Sequence, residues 1–134
     1  MVKKLLFVCK HNRFRSKIAE AAFKKFNKNS TIKSASAGIF EGLPVLKIVI
    51  ETGRKFGLKI NKKTQGIKEK WFKELDLIVI VADDIPPVIF KNKVKKLIVW
   101  KIPDCSCADR KCIEETAEKI IIKVKNLVKE LERK

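Results

Sequence analysis

Eight consecutive residues near the start of the chain combine a nucleophile with groups that bind an anion. Five residues separate Cys9 from Arg15, and Ser16 follows directly. The backbone N–H groups of such a loop and a helix N-terminus stabilise a tetrahedral oxyanion and the thiolate form of a cysteine. The Arg15 guanidinium can hold two oxygens of one anion, and Ser16 can donate a hydrogen bond to the sulfur. We therefore expect Cys9 to act as a nucleophile. The expected phosphate-binding residues are Lys10, His11, Asn12, Arg13, Phe14, Arg15 and Ser16.

The sequence around this loop predicts a strand before it and a helix after it. Val2–Val8 is apolar enough for a buried strand, and Ser16–Lys28 has apolar residues at helical spacing. A lone cysteine at a strand end is more commonly a small buried apolar residue, and that reading stands as the alternative for Cys9. The strand–loop–helix context favours the nucleophile.

Alternation of strands and helices continues along the chain, and it predicts a doubly wound α/β fold. The four-stranded parallel sheet has the expected order 2-1-3-4, in a flavodoxin-like three-layer sandwich formed by a single domain, residues 1–134. The predicted strands are Val2–Val8, Thr31–Ala37, Asp76–Ala82 and Val94–Trp100. The predicted helices are Ser16–Lys28, one from Pro44 to Phe56, Lys68–Leu75 and Cys112–Glu132.

Asp104 follows the fourth predicted strand, and Cys9 follows the first. In parallel sheets the carboxyl ends of the strands meet at one edge, where ligands bind. We therefore expect Asp104 to reach the anion held by the cysteine loop. There it would act as the general acid for a leaving oxygen and then as the base that activates water. This chemistry requires no metal and no cofactor.

These residues resemble the motifs of the low-molecular-weight protein tyrosine phosphatases and of the arsenate reductases built on the same fold. The matching pattern is Leu5-Leu6-Phe7-Val8-Cys9-x-x-Asn12-x-x-Arg15-Ser16-x-x-Ala19-Glu20, with Ser36-Ala37-Gly38 after the second strand and Asp104 after the fourth. The resemblance implies hydrolysis of a phosphorylated protein or a small aryl phosphate through a cysteinyl-phosphate. It also implies that Asn12 braces the loop, that Ser16 assists the thiolate and that Glu20 is structural.

Two other functions stay open at this point. His11 before Asn12 is similar to the arsenate-reductase branch of this fold. The alternative is therefore an arsenate reductase that uses Cys9, cysteines of the loop that carries Asp104 (the acid loop) and a thiol reductant. Those reductases carry two further cysteines after the third strand, and residues 81–87 here contain none. The third hypothesis is a non-catalytic oxyanion-binding module, for which neither Cys9 nor Asp104 is needed. Phe14 and Phe40 are candidate walls of the pocket.

Three cysteines, Cys105, Cys107 and Cys112, crowd into the loop that carries Asp104. One or more of them could resolve an oxidised Cys9, which makes them redox candidates. A structural disulfide such as Cys107–Cys112 is the second interpretation, since heat-adapted cytosols tolerate disulfides. A zinc site is the weakest interpretation, because only three thiols lie here and the single histidine is in the other loop.

The chain carries a formal charge of +17, with 46% apolar residues. Lysines spread along every segment without interleaved aromatic residues favour a solvated surface and anionic substrates rather than specific nucleic-acid binding. The apolar runs are too short to cross a bilayer, which indicates no membrane association. The apolar stretch after Lys3 and Lys4 is a poor signal peptide, so we expect a cytoplasmic protein.

Overall fold

The computed structural model describes residues 1–133, which form a four-stranded parallel sheet with three α-helices. The strands are β1 (Lys4–Cys9), β2 (Lys33–Gly38), β3 (Leu77–Val81) and β4 (Leu97–Trp100). The helices are α1 (Arg15–Phe26), α2 (Lys47–Lys55) and α3 (Arg110–Glu132). Within this part of the chain, no helix has the length and apolar character needed to cross a membrane.

The strand order is β2-β1-β3-β4 with all pairs parallel, as the sequence predicts. Every side chain of β3 is buried, because both faces of this central strand are covered. The register pairs Cys9 with Gly38, so the last residues of β1 and β2 lie side by side at the carboxyl edge. That edge carries the loop predicted to bind an anion.

The two faces of the sheet carry different layers. The larger apolar cluster joins one face to the three α-helices, with Phe7 and Val79 from the sheet among its residues. The stripe of α3 that packs there comprises Ala117, Ile120, Ile121, Val124, Leu127 and Val128. The second cluster covers the opposite face with loop residues and two short 3₁₀ turns, Glu69–Trp71 and Pro87–Phe90.

Several element boundaries differ from the sequence-based expectation. The predicted helix Lys68–Leu75 is only the 3₁₀ turn Glu69–Trp71, since its hydrogen bonds mostly join residues three apart. Helix α2 begins at Lys47 rather than Pro44, because Leu46 is extended with a ψ of 144°. Helix α3 begins at Arg110 because the Asp109 side chain accepts a hydrogen bond from the Cys112 N–H and caps the helix.

Candidate active site

Asn12 is the residue around which the loop between β1 and α1 is organised. It is fully buried, and its φ of 56° lies in the left-handed region that asparagine tolerates better than most residues. Its side-chain amide donates to the hydroxyl oxygens of Ser16 and Ser36, each at 2.9 Å. Its side-chain oxygen accepts from the Gln65 backbone N–H at 3.0 Å. Asn12 therefore ties the loop to α1, β2 and residue 65 at once.

Ser16 contacts the sulfur of Cys9 with its hydroxyl oxygen at 2.9 Å. A Cys9 thiolate has no proton, so the Ser16 hydroxyl is then the donor to the sulfur, while its oxygen accepts a hydrogen from Asn12. A donor in this position stabilises negative charge on the sulfur more than it stabilises the neutral thiol. Cys9 itself is buried at the bottom of the loop, with 3% of its surface exposed.

Gly38 supports the loop from the neighbouring strand. After it, the backbone N–H groups of Ile39 and Phe40 donate to the carbonyl oxygens of Cys9 and Lys10 at 3.1 Å and 2.9 Å. A Cβ atom on Gly38 would lie 2.7 Å from the His11 carbonyl carbon and 2.8 Å from the Asn12 nitrogen. Only glycine permits this approach, which accounts for the glycine in Ser36-Ala37-Gly38.

Arg15 connects the loop with the ends of β3 and β4. Its guanidinium is 2% exposed and donates to the Ile102 carbonyl oxygen at 2.9 Å. The Nη2 atom lies 3.1 Å from a carboxylate oxygen of Asp84, and the Nε atom lies 3.9 Å from one of Asp104. Asp83 lies 3.8 Å from Nη1. The hydrogen bonds to Ile102 and Asp84 therefore orient the guanidinium, and Asp83 and Asp104 add longer ion-pair contacts.

Helix α1 begins next to this loop. Phe14 precedes it with a φ of −144°, and no side chain in residues 1–133 caps its first N–H groups. An uncapped helix N-terminus concentrates positive potential and favours an anion in front of it. No acidic residue occupies the first turn of α1 itself.

A cavity of about 230 Å³ opens at this edge of the sheet and brings the predicted residues together. It is lined by Cys9, His11, Arg13, Phe14, Arg15, Leu46, Val49, Asp104, Cys105, Cys107 and Ile113. Of the predicted loop residues, Asn12 and Ser16 lie behind this lining and are fully buried. Phe14 contributes a wall as expected, whereas Phe40 is 55% exposed and stacks on His11 with ring centroids 5.6 Å apart.

A family model described as low molecular weight phosphotyrosine protein phosphatase matches residues 4–134. The chain belongs to this family. No curated protein sequence matches the chain. Membership and the fold support an enzyme of the phosphatase and arsenate-reductase type, with phosphate or arsenate as the substrate anion.

Solved structures with this fold include both kinds of enzyme. An arsenate reductase from Archaeoglobus fulgidus is 30% identical, with a TM-score of 0.78 over 92% of this chain and 98% of its own. A low molecular weight protein tyrosine phosphatase from T. tengcongensis is 21% identical, with a TM-score of 0.81 over 95% and 98%. The arginine phosphatase YwlE from Geobacillus stearothermophilus is 15% identical, with a TM-score of 0.85 over 97% and 93%. At 21% and 15% identity the likeness shows the fold alone.

In this member of the low molecular weight phosphatase family, the acid-loop cysteines pair differently from the expectation. The disulfide joins Cys105 to Cys112, with Cα atoms 5.9 Å apart, so the pairing Cys107–Cys112 is wrong. The Asp109 cap places Cys112 in the first turn of α3, facing Cys105, and the Thr116 hydroxyl lies 3.3 Å from the Cys105 sulfur. Cys107 is a free, exposed thiol that lines the cavity together with Cys9.

Two further features of the site were missed from the sequence. Asp83 and Asp84 are not among the site residues predicted from the sequence, although acidic residues directly after a buried strand are a usable signal at this edge of the sheet. The Nδ1 atom of His11 is buried and has no hydrogen-bond partner within residues 1–133. In that same range, no group of three or more His, Cys, Asp or Glu side chains is arranged to hold a metal ion.

Proposed function

We propose that this chain hydrolyses aryl phosphomonoesters, as phosphorylated protein or small molecule, through a cysteinyl-phosphate on Cys9. The observation that carries the proposal is the convergence of Cys9, Arg15 and Asp104 on one cavity. The Arg15 guanidinium has its Nε atom 3.9 Å from the Asp104 carboxylate. A nucleophile, a charge-neutralising group and an acid within one small pocket suffice for phosphoryl transfer.

In the first step the Cys9 thiolate attacks phosphorus. The bond from phosphorus to the aryl oxygen breaks, and Asp104 donates a proton to the leaving oxygen. The loop N–H groups, with Lys10, His11, Asn12, Arg13 and Phe14 among their residues, and the start of α1 hold the phosphoryl oxygens. Arg15 offers two N–H groups to the equatorial oxygens, whose charge changes in the transition state.

In the second step water hydrolyses the cysteinyl-phosphate. The Asp104 carboxylate now takes a proton from water, whose oxygen attacks phosphorus as the bond from phosphorus to sulfur breaks. The sulfur leaves as a thiolate, which the Ser16 hydroxyl at 2.9 Å stabilises. Inorganic phosphate is the second product, and Cys9 and Asp104 return to their starting protonation states.

The apolar part of the cavity lining favours a substrate with an aryl group. Phe14, Leu46, Val49 and Ile113 line one side, and three of these four are buried in the core. Rigid apolar walls contact a planar ring at small entropic cost. Arg13 lines the same cavity and favours an acidic flanking group on the substrate.

Steady-state turnover of 4-nitrophenyl phosphate tests this proposal. The wild type should hydrolyse it, and Cys9→Ser should lose activity by at least about a thousandfold, as removal of a covalent nucleophile does. Cys107→Ser removes the other free thiol of the same cavity and serves as the matched control. Unchanged turnover in Cys9→Ser overturns the proposal that Cys9 is the nucleophile. Phosphate binding without turnover in the wild type also overturns the proposal and favours the non-catalytic module.

Arsenate reduction is the second candidate function, and the free Cys107 thiol in the cavity is the observation that favours it. There the Cys107 thiolate would attack the sulfur of a Cys9 arsenate adduct. A Cys9–Cys107 disulfide forms, the bond from sulfur to arsenic breaks with its electron pair, and arsenite leaves. An external dithiol would then reduce the disulfide. Arsenite production lost in Cys107→Ser, beside intact aryl-phosphate hydrolysis, assigns this activity.

A further inference from the structure

Lys17 is a lysine buried in the first turn of α1, one residue after Ser16 and 1% exposed. Lysine is almost never buried to this degree unless its charge is paired. Its ammonium group donates to the Lys63 carbonyl oxygen and lies 3.7 Å from a carboxylate oxygen of Glu20. The sequence motif of the loop does not account for a cation here, and the proposed reaction does not use it.

Glu20 connects Lys17 with the loop. Its side chain is 5% exposed, and its Oε1 atom accepts a hydrogen bond from the Ser36 hydroxyl. An ionised carboxylate has no proton, so Ser36 must be the donor in that contact. The Ser36 oxygen is then free to accept from the Asn12 amide, as it does at 2.9 Å.

The Glu20 carboxylate can only accept a hydrogen bond, and the Gln65 backbone N–H can only donate one. These two groups fix the directions of the hydrogen bonds between them. The Gln65 N–H contacts the Asn12 side-chain oxygen, so the two amide hydrogens of Asn12 point to Ser36 and Ser16. A Cys9 thiolate has no proton, so Ser16 is the donor in its contact with the sulfur. If the Glu20 side chain were displaced, Ser36 would lose its acceptor and this series of buried hydrogen bonds would contain an unsatisfied donor, which costs free energy.

We propose that Lys17 is a positioning residue for Cys9: its ammonium group holds the Glu20 carboxylate in place, and through Ser36 and Asn12 this keeps the Ser16 hydroxyl directed at the sulfur. The role rests on the proposed function of Cys9 as nucleophile. Lys24 also contacts Glu20, at 2.7 Å, but its side chain is 54% exposed. Solvent and salt screen an exposed cation, so Lys24 cannot replace the buried one.

The energetics of Lys17 agree with this role. Burial lowers the pKa of Lys17, and the negative charge of Glu20 opposes that shift. Removal of either partner leaves the other as a buried charge with weaker compensation. The two residues should therefore be coupled, so that the effect of changing one depends on the other.

The test compares Lys17→Met with Lys24→Met, which removes the exposed cation from the same carboxylate. Both are made in a Cys107→Ser background, in which Cys9 is the one unpaired thiol. The measurements are kcat and KM for 4-nitrophenyl phosphate and the rate of Cys9 alkylation by iodoacetamide. Lys17→Met should lower kcat and the alkylation rate about tenfold, the size of one hydrogen bond to a charged group, and leave KM within about twofold. Lys24→Met should stay within about twofold of its parent in each quantity.

Glu20→Gln and the double variant Lys17→Met/Glu20→Gln complete the comparison. A neutral glutamine needs no cation and still accepts from Ser36, so Lys17→Met should cost less than about twofold in the Glu20→Gln background. Equal losses in both backgrounds, or equal losses for Lys17→Met and Lys24→Met, overturn the proposal. If Lys17→Met alone does not fold, the proposal is tested by comparing Glu20→Gln with the double variant Lys17→Met/Glu20→Gln. If iodoacetamide alkylates Cys9 but the wild type shows no turnover, the proposed hydrolysis is wrong. The Lys17 proposal is then tested by the alkylation rates of the variants.

Discussion

The Ser16 hydroxyl oxygen lies 2.9 Å from the sulfur of Cys9, and the same oxygen accepts a hydrogen bond from Asn12. When Cys9 is a thiolate the sulfur has no proton, so the Ser16 hydroxyl donates to it and stabilises its negative charge. The thiolate is favoured as an attacking group in the first step and as a leaving group in the second. The reactivity of the Cys9 sulfur therefore depends on Ser16 directly and on Asn12 through Ser16.

Replacement of Ser16 by alanine removes the donor to the sulfur and leaves the anion-binding N–H groups in place. We expect kcat for 4-nitrophenyl phosphate to fall about tenfold, as for loss of one hydrogen bond to a charged group, with a small change in KM. Steady-state kinetics with inorganic phosphate as a competitive inhibitor separates the two effects. A large rise in KM at unchanged kcat contradicts this assignment.

Replacement of Asp104 by asparagine removes the proton donor but keeps the shape of the side chain. Hydrolysis of phenyl phosphate should slow by about a hundredfold or more. Hydrolysis of 4-nitrophenyl phosphate should slow less than hydrolysis of phenyl phosphate, because its leaving oxygen needs less protonation. Asp109→Asn is the matched control, since asparagine also caps a helix and should preserve both activities. Equal losses for the two substrates would exclude Asp104 as the acid.

Replacement of Gly38 by alanine places a Cβ atom less than 3 Å from backbone atoms of His11, Asn12 and Phe40. Backbone atoms cannot move aside as flexible side chains do, so we expect loss of at least about 2 kcal/mol of stability and most of the activity. Gly42→Ala is the control for activity: nothing lies within 4 Å of its Cβ position, so turnover should persist even though the φ of 106° strains an alanine and lowers stability. Urea unfolding and turnover of both variants provide the comparison, and a fully active Gly38→Ala contradicts the close approach.

Reduction of the Cys105–Cys112 disulfide should release the loop that begins next to Asp104. For two cysteines seven residues apart, chain entropy gives a loss of about 2 kcal/mol in the free energy of unfolding. Thiol treatment and the double variant Cys105→Ser/Cys112→Ser should lower the melting temperature to the same extent and reduce kcat. Cys107→Ser should leave the melting temperature unchanged. An unaltered melting temperature after reduction would show that the crosslink does not constrain the loop.

Asp76 makes stability depend on pH at the acid end. Backbone N–H groups of Lys3 and Lys4, at 2.8 Å and 3.0 Å, and the Lys95 ammonium lower the pKa of its carboxyl below the ordinary 3.8. As pH falls, the Asp76 carboxyl is therefore protonated in the unfolded chain before it is protonated in the folded chain. Its contribution to the free energy of unfolding is complete above the unfolded-state pKa and is lost as pH falls through the folded-state pKa. Asp76→Asn should be less stable by about 1 kcal/mol at neutral pH. Urea titrations across the acid range should show that this difference disappears, whereas a constant difference contradicts the assignment.

The sheet and the loop were predictable because their signals are local. Leu77–Val81 is continuously apolar, as a strand buried on both faces must be, and five residues between Cys9 and Arg15 define the loop. The cavity also contains Asp104, whose position follows from parallel topology. These relations depend on strand direction and order, which the alternation of elements determines.

Contacts between distant segments could not be derived in this way. Three cysteines within eight residues allow any pairing, and the Asp109 cap, which turns Cys112 toward Cys105, sets the one observed. The contacts of Arg15 with Asp83 and Asp84 depend on side-chain directions after β3. A sequence pattern contains no comparable information about directions within a loop.

The first nine residues of α1, Arg15 through Phe23, are all buried. A helix enclosed on every side lacks a solvent face on which replacements accumulate at little cost. Saturation mutagenesis should find the segment intolerant at each position, without the periodic tolerance of a surface helix. Divergence toward new substrates must therefore come from the rim of the cavity, at positions such as Arg13 and Leu46, while the catalytic helix stays unchanged.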